Sequence, residues 1–438
     1  MKNELLGMIE RRKRGETCGI PSFCSANRYV IEAAMEDALR CDDFVLIEAT
    51  SNQVNPSGGY MGMTSADFRD YVYRIAEKIG FPKEKLILGG DHLGPLPWCG
   101  EPAADAMEKA KEAVRQCVLA GFTKVHLDTS MRLGSDDPKA PLSDETVAKR
   151  GAMLYDAAMA AYEELIKEKP DAVRPVFVVG SEVPIPGGAQ AEDAGLRVTE
   201  AEAFADTAEA YRKAFASRGF PEAMKDIVAV VVQPGVEFGE TSVHEYNRGE
   251  AAALCRKLSE YPDLVFEGHS TDYQTAEKLR EMTEDGIAIL KVGPALTYAV
   301  REALFALSQI EEELLPKEKC AGFRRVLEEE MLANDKDWVK YYTGTEWEKK
   351  LLRAYSFSDR SRYYINRPAV AAATEALIAH LRETGIPLCL LHQYMPMQYR
   401  HVRNHETECE PEALIRDAVR DVIADYRYAT EFPTSCRP

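Results

Sequence analysis

Short runs rich in β-branched residues alternate with longer stretches rich in Ala, Glu, Lys and Arg as far as about residue 315. The eight runs are residues 18–26, 44–50, 86–92, 124–130, 176–183, 227–235, 265–270 and 288–296. Consecutive parallel strands need a long crossover, usually a helix, so this alternation predicts a parallel sheet. Eight strand–helix units predict an α/β protein with a (β/α)8 TIM barrel, because a doubly wound sheet usually has fewer strands and a glycine-rich first turn.

The stretches between the runs have the pattern of amphipathic crossover helices. In residues 103–120, apolar side chains recur at helical spacing and polar side chains occupy the remaining positions. The chain contains neither a GxGxxG nor a GxxxxGK[ST] sequence. We therefore expect no nicotinamide or P-loop site and no nucleotide cofactor.

The alternation stops near Pro316, and a helical, aromatic-rich region follows. We assign residues 1–315 to the barrel and residues 316–438 to a helical C-terminal extension packed on it. Aromatic side chains bury large areas, so internal packing is the favoured role of the aromatic residues in this region. Residues 338–347, which begin and end with tryptophan, could instead form a surface for a partner.

The charge of the chain narrows the choice of partner. Its 438 residues carry a formal net charge of −18, and binding to nucleic acid or to anionic membranes depends on Lys and Arg. No apolar run reaches the roughly 18 residues that span a bilayer, and the N-terminal sequence lacks the apolar core and cleavage site of a signal peptide. These features predict a cytoplasmic protein that binds a small molecule and neither nucleic acid nor membrane.

Polar side chains collect at the C-terminal ends of the runs. In (β/α)8 enzymes the active site lies at that end of the barrel. Seven of the eight runs end in charged or hydrogen-bonding groups: Glu48, Asn52 and Gln53; Asp91 and His92; His126 and Asp128; Glu182; Gln233; His269, Ser270 and Asp272; and Lys291. We therefore predict a polar site at one rim of the barrel.

Three histidines belong to this set, at the ends of the third, fourth and seventh runs. Imidazole binds divalent metals and moves protons near neutral pH. A single histidine is more often a satisfied core or rim residue, but three on one rim favour a site. Side chains alternate along a strand, so His126 and Asp128 share a face, as do Glu267 and His269.

The third run ends in the adjacent pair Asp91 and His92. In a regular strand these side chains point to opposite faces, but where the chain turns one can bind metal while the other reaches substrate. A metal polarises a ketone, and a nearby carboxylate exchanges a hydroxyl proton. Lys291 either neutralises an anionic group of the ligand or pairs with the protein, and the sequence leaves both roles open.

Two loops rich in Gly and Pro follow the second and fifth runs, at residues 55–62 and 184–188. Either could be a lid over the mouth of the barrel, because functional loops lie on this rim. Gly and Pro are also ordinary turn residues, so the lid and the simple turn remain equal alternatives.

Nine segments carry a family resemblance that covers almost the whole chain. They are IEATSNQVN (47–55), LGGDHLGP (88–95), GFTKVHLDTSM (121–131), GSEVPIPGG (180–188), VVVQPGVEF (230–238), EGHSTDYQT (267–275), KVGPALTYAVREALFAL (291–307), SDRSRYY (358–364) and QYMP (393–396). They closely resemble the non-catalytic subunit of class II tagatose-bisphosphate aldolase, a family also called tagatose-6-phosphate kinase. That family is similar to the catalytic class II ketose-bisphosphate aldolases, zinc-dependent barrels that cleave a ketose between C3 and C4.

The resemblance implies roles for three residues. Asp91 matches the proton-transferring carboxylate of the aldolases, and His92 and His269 match two of their zinc ligands. The third aldolase ligand, a histidine shortly after the sixth strand, has no counterpart in the QPGVE sequence at 233–237. Three other side chains have oxygen donors that a divalent ion accepts: Glu182, Gln233 and Glu237.

The resemblance further implies a metal-dependent epimerase that interconverts ketohexoses of the tagatose and fructose type, or their phosphates, at C4 by retro-aldol and aldol chemistry. The expected cofactor is a divalent ion of the Zn, Mn, Co or Ni type. The candidate residues are Asp91, Asp128 and Glu182 for catalysis; His92, His269 and Glu182 for metal; and Glu48, Asn52, Gln53, His126, Gln233, Ser270, Asp272 and Lys291 for substrate.

The alternative is a non-catalytic subunit that stabilises a separate aldolase. Fold alone does not decide between the two, because barrels host many functions. Unpaired buried polar groups cost about 1–3 kcal/mol each, so the number of polar groups on this rim favours a working site. We also expect a homo-oligomer.

Overall fold

The computed structural model describes residues 3–140, 142–181 and 196–430. Its strands are β1 (Ile20–Cys24), β2 (Val45–Thr50), β3 (Leu86–Leu93), β4 (Lys124–Leu127), β5 (Val176–Val179), β6 (Ile227–Val232), β7 (Glu237–Phe238), β8 (Val243–His244), β9 (Val265–Gly268) and β10 (Ile287–Val292). Eight of them close a barrel in the order β1, β2, β3, β4, β5, β6, β9, β10. All neighbours in the barrel are parallel, and β10 pairs with β1. The predicted (β/α)8 barrel is confirmed.

Helices surround this barrel, and no helix in the described ranges is long and apolar enough to cross a bilayer. The helices are α1 (Glu4–Lys13), α2 (Arg28–Arg40), α3 (Ser65–Ile79), α4 (Ala103–Leu119), α5 (Asp144–Glu168), α6 (Ala201–Ser217), α7 (Arg248–Leu258), α8 (Ala276–Glu284), α9 (Pro294–Leu314), α10 (Phe323–Ala333), α11 (Glu346–Tyr355), α12 (Pro368–Thr384), α13 (Leu388–Tyr394), α14 (Pro396–Arg403) and α15 (Pro411–Thr430). Helices α2 to α8 are the seven crossovers between successive barrel strands, and α9 follows the last strand.

Helix α1 closes the N-terminal end of the barrel. Asn3 caps it by accepting a hydrogen bond from the Leu5 amide at 3.1 Å. Its apolar face, with Leu5 and Met8, is buried in one cluster with apolar strand residues such as Ile20 and Leu46. Apolar packing therefore fills the end of the barrel opposite the polar rim.

Each predicted run overlaps one barrel strand, but several predicted ends were wrong. The fourth run was extended to residue 130, whereas β4 ends at Leu127. The eighth was extended to residue 296, whereas Pro294 already begins α9. Proline favours the first turn of a helix, since its φ angle is fixed and its missing N–H needs no partner there.

The C-terminal region packs closely on the barrel. Helix α15 lies against α2, α8 and α9. The Gly19 amide, just before β1, donates to the Thr430 carbonyl oxygen at 3.1 Å. The Tyr426 hydroxyl donates to the Thr271 carbonyl oxygen at 2.8 Å. The end of the described chain is therefore tied to the first and seventh barrel strands.

Residues 338–347 divide between the interior of the protein and its surface. Trp338 is buried and its indole N–H donates to the Met331 carbonyl oxygen at 2.7 Å. Tyr342 is also buried. Trp347 at the other end is 76% exposed. The first half of the segment therefore serves internal packing, and its end lies on the surface.

Candidate active site

A cavity of about 600 Å³ opens at the C-terminal end of the barrel. Small-molecule sites in proteins typically have 300–1,000 Å³. The predicted site residues that line this cavity are Asn52, Gln53, Asp91, His92, His269, Ser270, Asp272 and Lys291. Eight of the predicted rim residues therefore lie on one cavity, which is large enough to hold a small sugar.

Four buried side chains converge at the C-terminal end of the barrel: Asp91, His92 and His269, which line the cavity, and His126 beside them. One nitrogen or carboxylate oxygen from each lies within 4.8 Å of those of the others. The three imidazole rings stand at centroid distances of 4.9–5.3 Å from one another. Strands β3, β4 and β9 thus bring together one carboxylate and three imidazoles.

Each of the three imidazoles has one ring nitrogen in contact with a carboxylate, and for His126 this is Nδ1, 3.1 Å from Asp91 Oδ1. His92 Nδ1 lies 2.8 Å from Asp128 Oδ2, and His269 Nε2 lies 2.9 Å from Glu267 Oε1. Such contacts orient metal-binding histidines and leave the second ring nitrogen for the ion. His126 Nε2 is buried and has no hydrogen-bond partner in the described part of the chain. Three imidazoles with a carboxylate beside them suit a divalent ion such as Zn²⁺, so these residues fit the predicted metal.

An irregularity in β3 allows the adjacent Asp91 and His92 to enter the same cluster. The pairing of β3 with β4 shifts register between Gly90 and Leu93. His92 has a φ of 47°, a left-handed conformation that is rare outside glycine and recurs at functional sites. The bulge breaks the strict alternation of side chains and so explains how consecutive residues share one site.

A network of buried charges lies directly beneath the cluster. Lys124 Nζ is 2.8 Å from Glu48 Oε1 and 2.7 Å from Glu267 Oε2, and all three side chains are fully buried. Lys291 Nζ is 2.8 Å from Asp91 Oδ1 and 3.3 Å from Glu48 Oε2. The sequence left two roles open for Lys291, pairing with the ligand or with the protein. Its described contacts are of the second kind, because they are ion pairs within the protein.

Gly89 makes this network possible. A Cβ atom at position 89 would lie 2.5 Å from Cγ of Glu48, closer than real Cβ atoms approach a neighbour. The absent side chain lets Glu48 cross β3 to reach Lys124 on β4. Glu48, which we predicted as a substrate residue, therefore lies beneath the cavity.

The charges in the cluster set the protonation states. Burial alone would raise the pKa of Asp91, but the charges of His92 and Lys291 hold it well below its usual range. Burial would lower the pKa of His92, yet Asp91 and Asp128 raise it. Burial lowers the pKa of His269 to about 4. At neutral pH Asp91 is therefore ionised and His269 neutral.

The remaining predicted residues lie in different places. His126, assigned to substrate from sequence, belongs to the cluster of three imidazoles and Asp91, and Asp128, assigned to catalysis, contacts His92. The side-chain oxygen of Gln233 accepts two backbone amides of the turn after β6, at 2.8 and 3.0 Å. Glu182 and the loop at 184–188 lie outside the described residues.

Sequence reasoning missed the part of the cavity that the C-terminal region supplies. Lys340, Arg360 and Arg362 all line the cavity. The loop after β2 reaches this side, since the Tyr60 ring meets the Tyr363 ring edge-on at 4.9 Å. Two arginines in the short sequence SDRSRYY were the available signal, but in the sequence they stand far from the barrel strands.

Comparison with solved structures finds similarity over nearly the full length. A probable tagatose 6 phosphate kinase from Sinorhizobium meliloti 1021 is 44% identical, with a TM-score of 0.86, over 94% of this chain and 100% of that one. A fructose-bisphosphate aldolase from Campylobacter jejuni is 15% identical, with a TM-score of 0.43, over 86% and 92% of the two chains. The YdjI aldolase from Escherichia coli K12 is 12% identical, with a TM-score of 0.41, over 88% and 98%.

The family profile of the D-tagatose-1,6-bisphosphate aldolase subunit GatZ/KbaZ-like matches residues 5–431. This match includes all eight barrel strands and the C-terminal helices as far as α15. The chain therefore belongs to the D-tagatose-1,6-bisphosphate aldolase subunit GatZ/KbaZ-like family.

Proposed function

We propose that the protein is a metal-dependent epimerase that inverts C4 of a ketohexose or ketohexose phosphate of the tagatose and fructose type. One observation carries the proposal: an ionised carboxylate, Asp91, borders three imidazoles at a sugar-sized cavity. Membership of a tagatose-bisphosphate aldolase subunit family supports the choice of sugar. The proposed reaction is retro-aldol cleavage followed by re-addition.

His92, His126 and His269 would hold the divalent ion, which when bound would supply polarisation of the C2 carbonyl of the ketose. Asp91 accepts the proton of the C4 hydroxyl while the C3–C4 bond breaks. The electron pair of that bond moves into the C2 carbonyl system, and C4 becomes an aldehyde. After the aldehyde rotates, the C3–C4 bond re-forms on its other face and Asp91 returns the proton to the C4 oxygen. Direct removal of the C4 hydrogen is disfavoured, because C4 is not adjacent to the C2 carbonyl.

Neighbouring side chains have supporting roles in the proposal. Lys291 keeps Asp91 ionised through their contact of 2.8 Å. Asp128 and Glu267 orient the rings of His92 and His269, so Asp128 is a positioning residue. Four cavity residues have polar side chains suited to sugar hydroxyls: Asn52, Gln53, Ser270 and Asp272.

The central experiment uses the purified full chain, treated with chelator and reloaded with Zn²⁺, Mn²⁺, Co²⁺ or Ni²⁺. Fructose, tagatose and their phosphates are incubated with each form, and C4 epimers and triose products are measured. Asp91→Asn keeps the shape of the side chain but removes the base, so we expect a rate loss of roughly 10²- to 10⁴-fold with metal retained. If the wild-type chain neither epimerises nor cleaves any of these sugars, the proposal is wrong.

The metal site has its own test. The double variant His92→Ala/His269→Ala should lose its bound divalent ion in elemental analysis after reloading. The matched control is His244→Ala/His405→Ala, which removes two exposed imidazoles. Equal metal content in all three proteins would exclude the site. Glu182→Gln tests the remaining prediction from sequence, that this carboxylate also binds the metal.

The second candidate function is a non-catalytic subunit of a class II tagatose-bisphosphate aldolase. The description of the family as an aldolase subunit favours it, as does an exposed apolar surface on α11, where Trp347 is 76% and Leu351 52% exposed. In this case the metal-loaded chain would be inactive alone and would raise the activity or stability of the catalytic aldolase. Measuring both activities with the same preparations separates the two functions.

A further inference from the structure

We infer that the C-terminal region supplies an anion subsite to the cavity, where Arg360, Arg362 and Lys340 bind a phosphate monoester of the substrate. This inference rests on the proposed function for the sugar part of the ligand, but the anion subsite stands on separate residues. All three cations line the same cavity as Asp91 and His92.

The strongest observation is the lack of a carboxylate partner for Arg360. Four arginines in the described ranges are buried, and three of them form ion pairs: Arg150 with Asp136 at 2.6 Å, Arg301 with Asp359 at 2.9 Å, and Arg353 with Glu328 at 2.7 Å. Arg360 is only 5% exposed, yet no described carboxylate lies within ion-pair distance. Burying an unpaired charge is costly, so Arg360 is suited to pair with an anionic ligand in the cavity.

The free donors of Arg360 are available for that anion. One of its terminal nitrogens donates to the Asp337 carbonyl oxygen at 3.2 Å. Its Nε is buried and has no hydrogen-bond partner in the described part of the chain. A guanidinium carries five N–H donors in a planar fork that matches the oxygens of a phosphate. Stacking on the Tyr341 ring, 3.1 Å from the guanidinium carbon, fixes the plane of the fork but satisfies none of these donors.

Arg362 and Lys340 strengthen the positive charge of the subsite. Arg362 donates to the carbonyl oxygens of Ser358 and Asp359 and to the Tyr363 hydroxyl. These neutral acceptors hold the guanidinium in place without cancelling its charge. Lys340 is exposed, and its ammonium lies 4.9 Å from the centre of the Tyr341 ring. Neither cation has a carboxylate within ion-pair distance among the described residues.

The charge balance selects the class of ligand. Three cations that form no ion pair with any described residue line a cavity in a chain of net charge −18. A phosphate monoester carries about −1.5 to −2 at neutral pH, which matches this cluster better than the single charge of a carboxylate. Lys291 does not compete for this role, because its ammonium already contacts Asp91 and Glu48. The expected ligand is therefore a ketohexose phosphate in preference to the free sugar.

The test measures binding by calorimetry to the full chain, with D-fructose 6-phosphate, D-fructose and D-fructuronate as probes. The wild-type chain should bind the phosphate at least about 10-fold more tightly than fructose. Arg360→Gln should weaken phosphate binding roughly 10- to 100-fold, since a hydrogen bond to a charged group is lost, and should leave fructose binding unchanged. Lys340→Gln, at an exposed position, should act in the same direction by a smaller factor. Arg325→Gln, outside the cavity, is the matched control and should change neither affinity.

If Arg360→Gln fails to fold, Arg360→Lys serves as a second variant, because it keeps the positive charge. Arg360→Lys should retain more of the preference for phosphate than Arg360→Gln does. Equal wild-type affinities for fructose and its 6-phosphate would overturn the subsite, as would variants that weaken both probes equally. Tighter binding of fructuronate than of the phosphate would overturn the assignment to phosphate. Phosphate-selective binding without turnover would leave the subsite standing and refute the epimerase. Turnover of free and phosphorylated sugar with equal efficiency would refute the subsite and leave the epimerase standing.

Discussion

The buried lysine beneath the site offers the sharpest test of the structure. Lys124 is fully buried between Glu48 and Glu267, at 2.8 and 2.7 Å. Lys124→Met keeps nearly the same volume but removes the charge, so two buried carboxylates lose their common cation. Removing one partner of a buried ion pair costs about 3–5 kcal/mol, because the remaining charge stays in a medium of low polarity.

This loss can be converted into a melting temperature. Unfolding entropies near 2.1 cal/mol/K per residue give, for a chain of this length, about 1 °C of Tm per kcal/mol, so Tm should fall by roughly 3–5 °C. Metal affinity should fall as well, because Glu267 also contacts His269 at 2.9 Å. The double variant Lys124→Met/Glu267→Gln should recover part of the stability, since it removes one of the two carboxylates.

The assay is thermal and urea unfolding of metal-free protein, with chelator titration for metal affinity. Lys149→Met is the matched control, because Lys149 also lies 2.7 Å from a carboxylate, that of Glu145, but on the surface with side chains 64% and 76% exposed. Exposed pairs contribute about 0–1 kcal/mol. If Lys124→Met and Lys149→Met cost the same, burial does not govern this network and the reasoning is refuted.

Three further predictions concern metal affinity, pH and assembly. Asp128→Asn should weaken metal binding about 10- to 100-fold in a chelator competition, since His92 loses its orienting carboxylate; unchanged affinity would contradict this role. Burial raises the pKa of Glu237 to about 7 from its ordinary 4.5, so its ionisation opposes folding increasingly as pH rises from about 4.5 to 7 and fully above 7. Glu237→Gln should therefore raise Tm relative to wild type more at pH 7.5 than at pH 4.5, and a pH-independent difference would exclude the shift. Light scattering at micromolar concentration should give a mass above that of one chain, and a monomer would contradict the predicted homo-oligomer.

Local sequence patterns were sufficient for the barrel and for its polar rim. Strand and helix periodicities are read within a few residues, and eight repeats of the same unit leave few alternatives. The C-terminal ends of parallel strands meet at one edge, so residues such as Asp91 and His269 were predicted to share a site before any distance was known. The outcome that eight predicted side chains line one cavity follows from this geometry.

The role of each rim residue depended on the tertiary structure. The register shift between Gly90 and Leu93 turns His92 toward His126, and no local pattern specifies that bulge. The oxygen of Gln233 bonds to the turn after its own strand, although its sequence position equally suited a ligand.

Sequence reasoning did not indicate that the C-terminal region contributes residues to the cavity. Arg360 and Arg362 follow the last barrel strand by more than sixty residues, so nothing in their neighbourhood indicates which cavity they line. Their position is decided by packing of distant segments, including the buried ion pair between Arg301 on α9 and Asp359. The sequence alone determined which residues form strands, helices and a polar rim, because these depend on neighbours along the chain. Only the tertiary structure decided which distant charges meet, because that depends on how the whole chain buries its apolar surface.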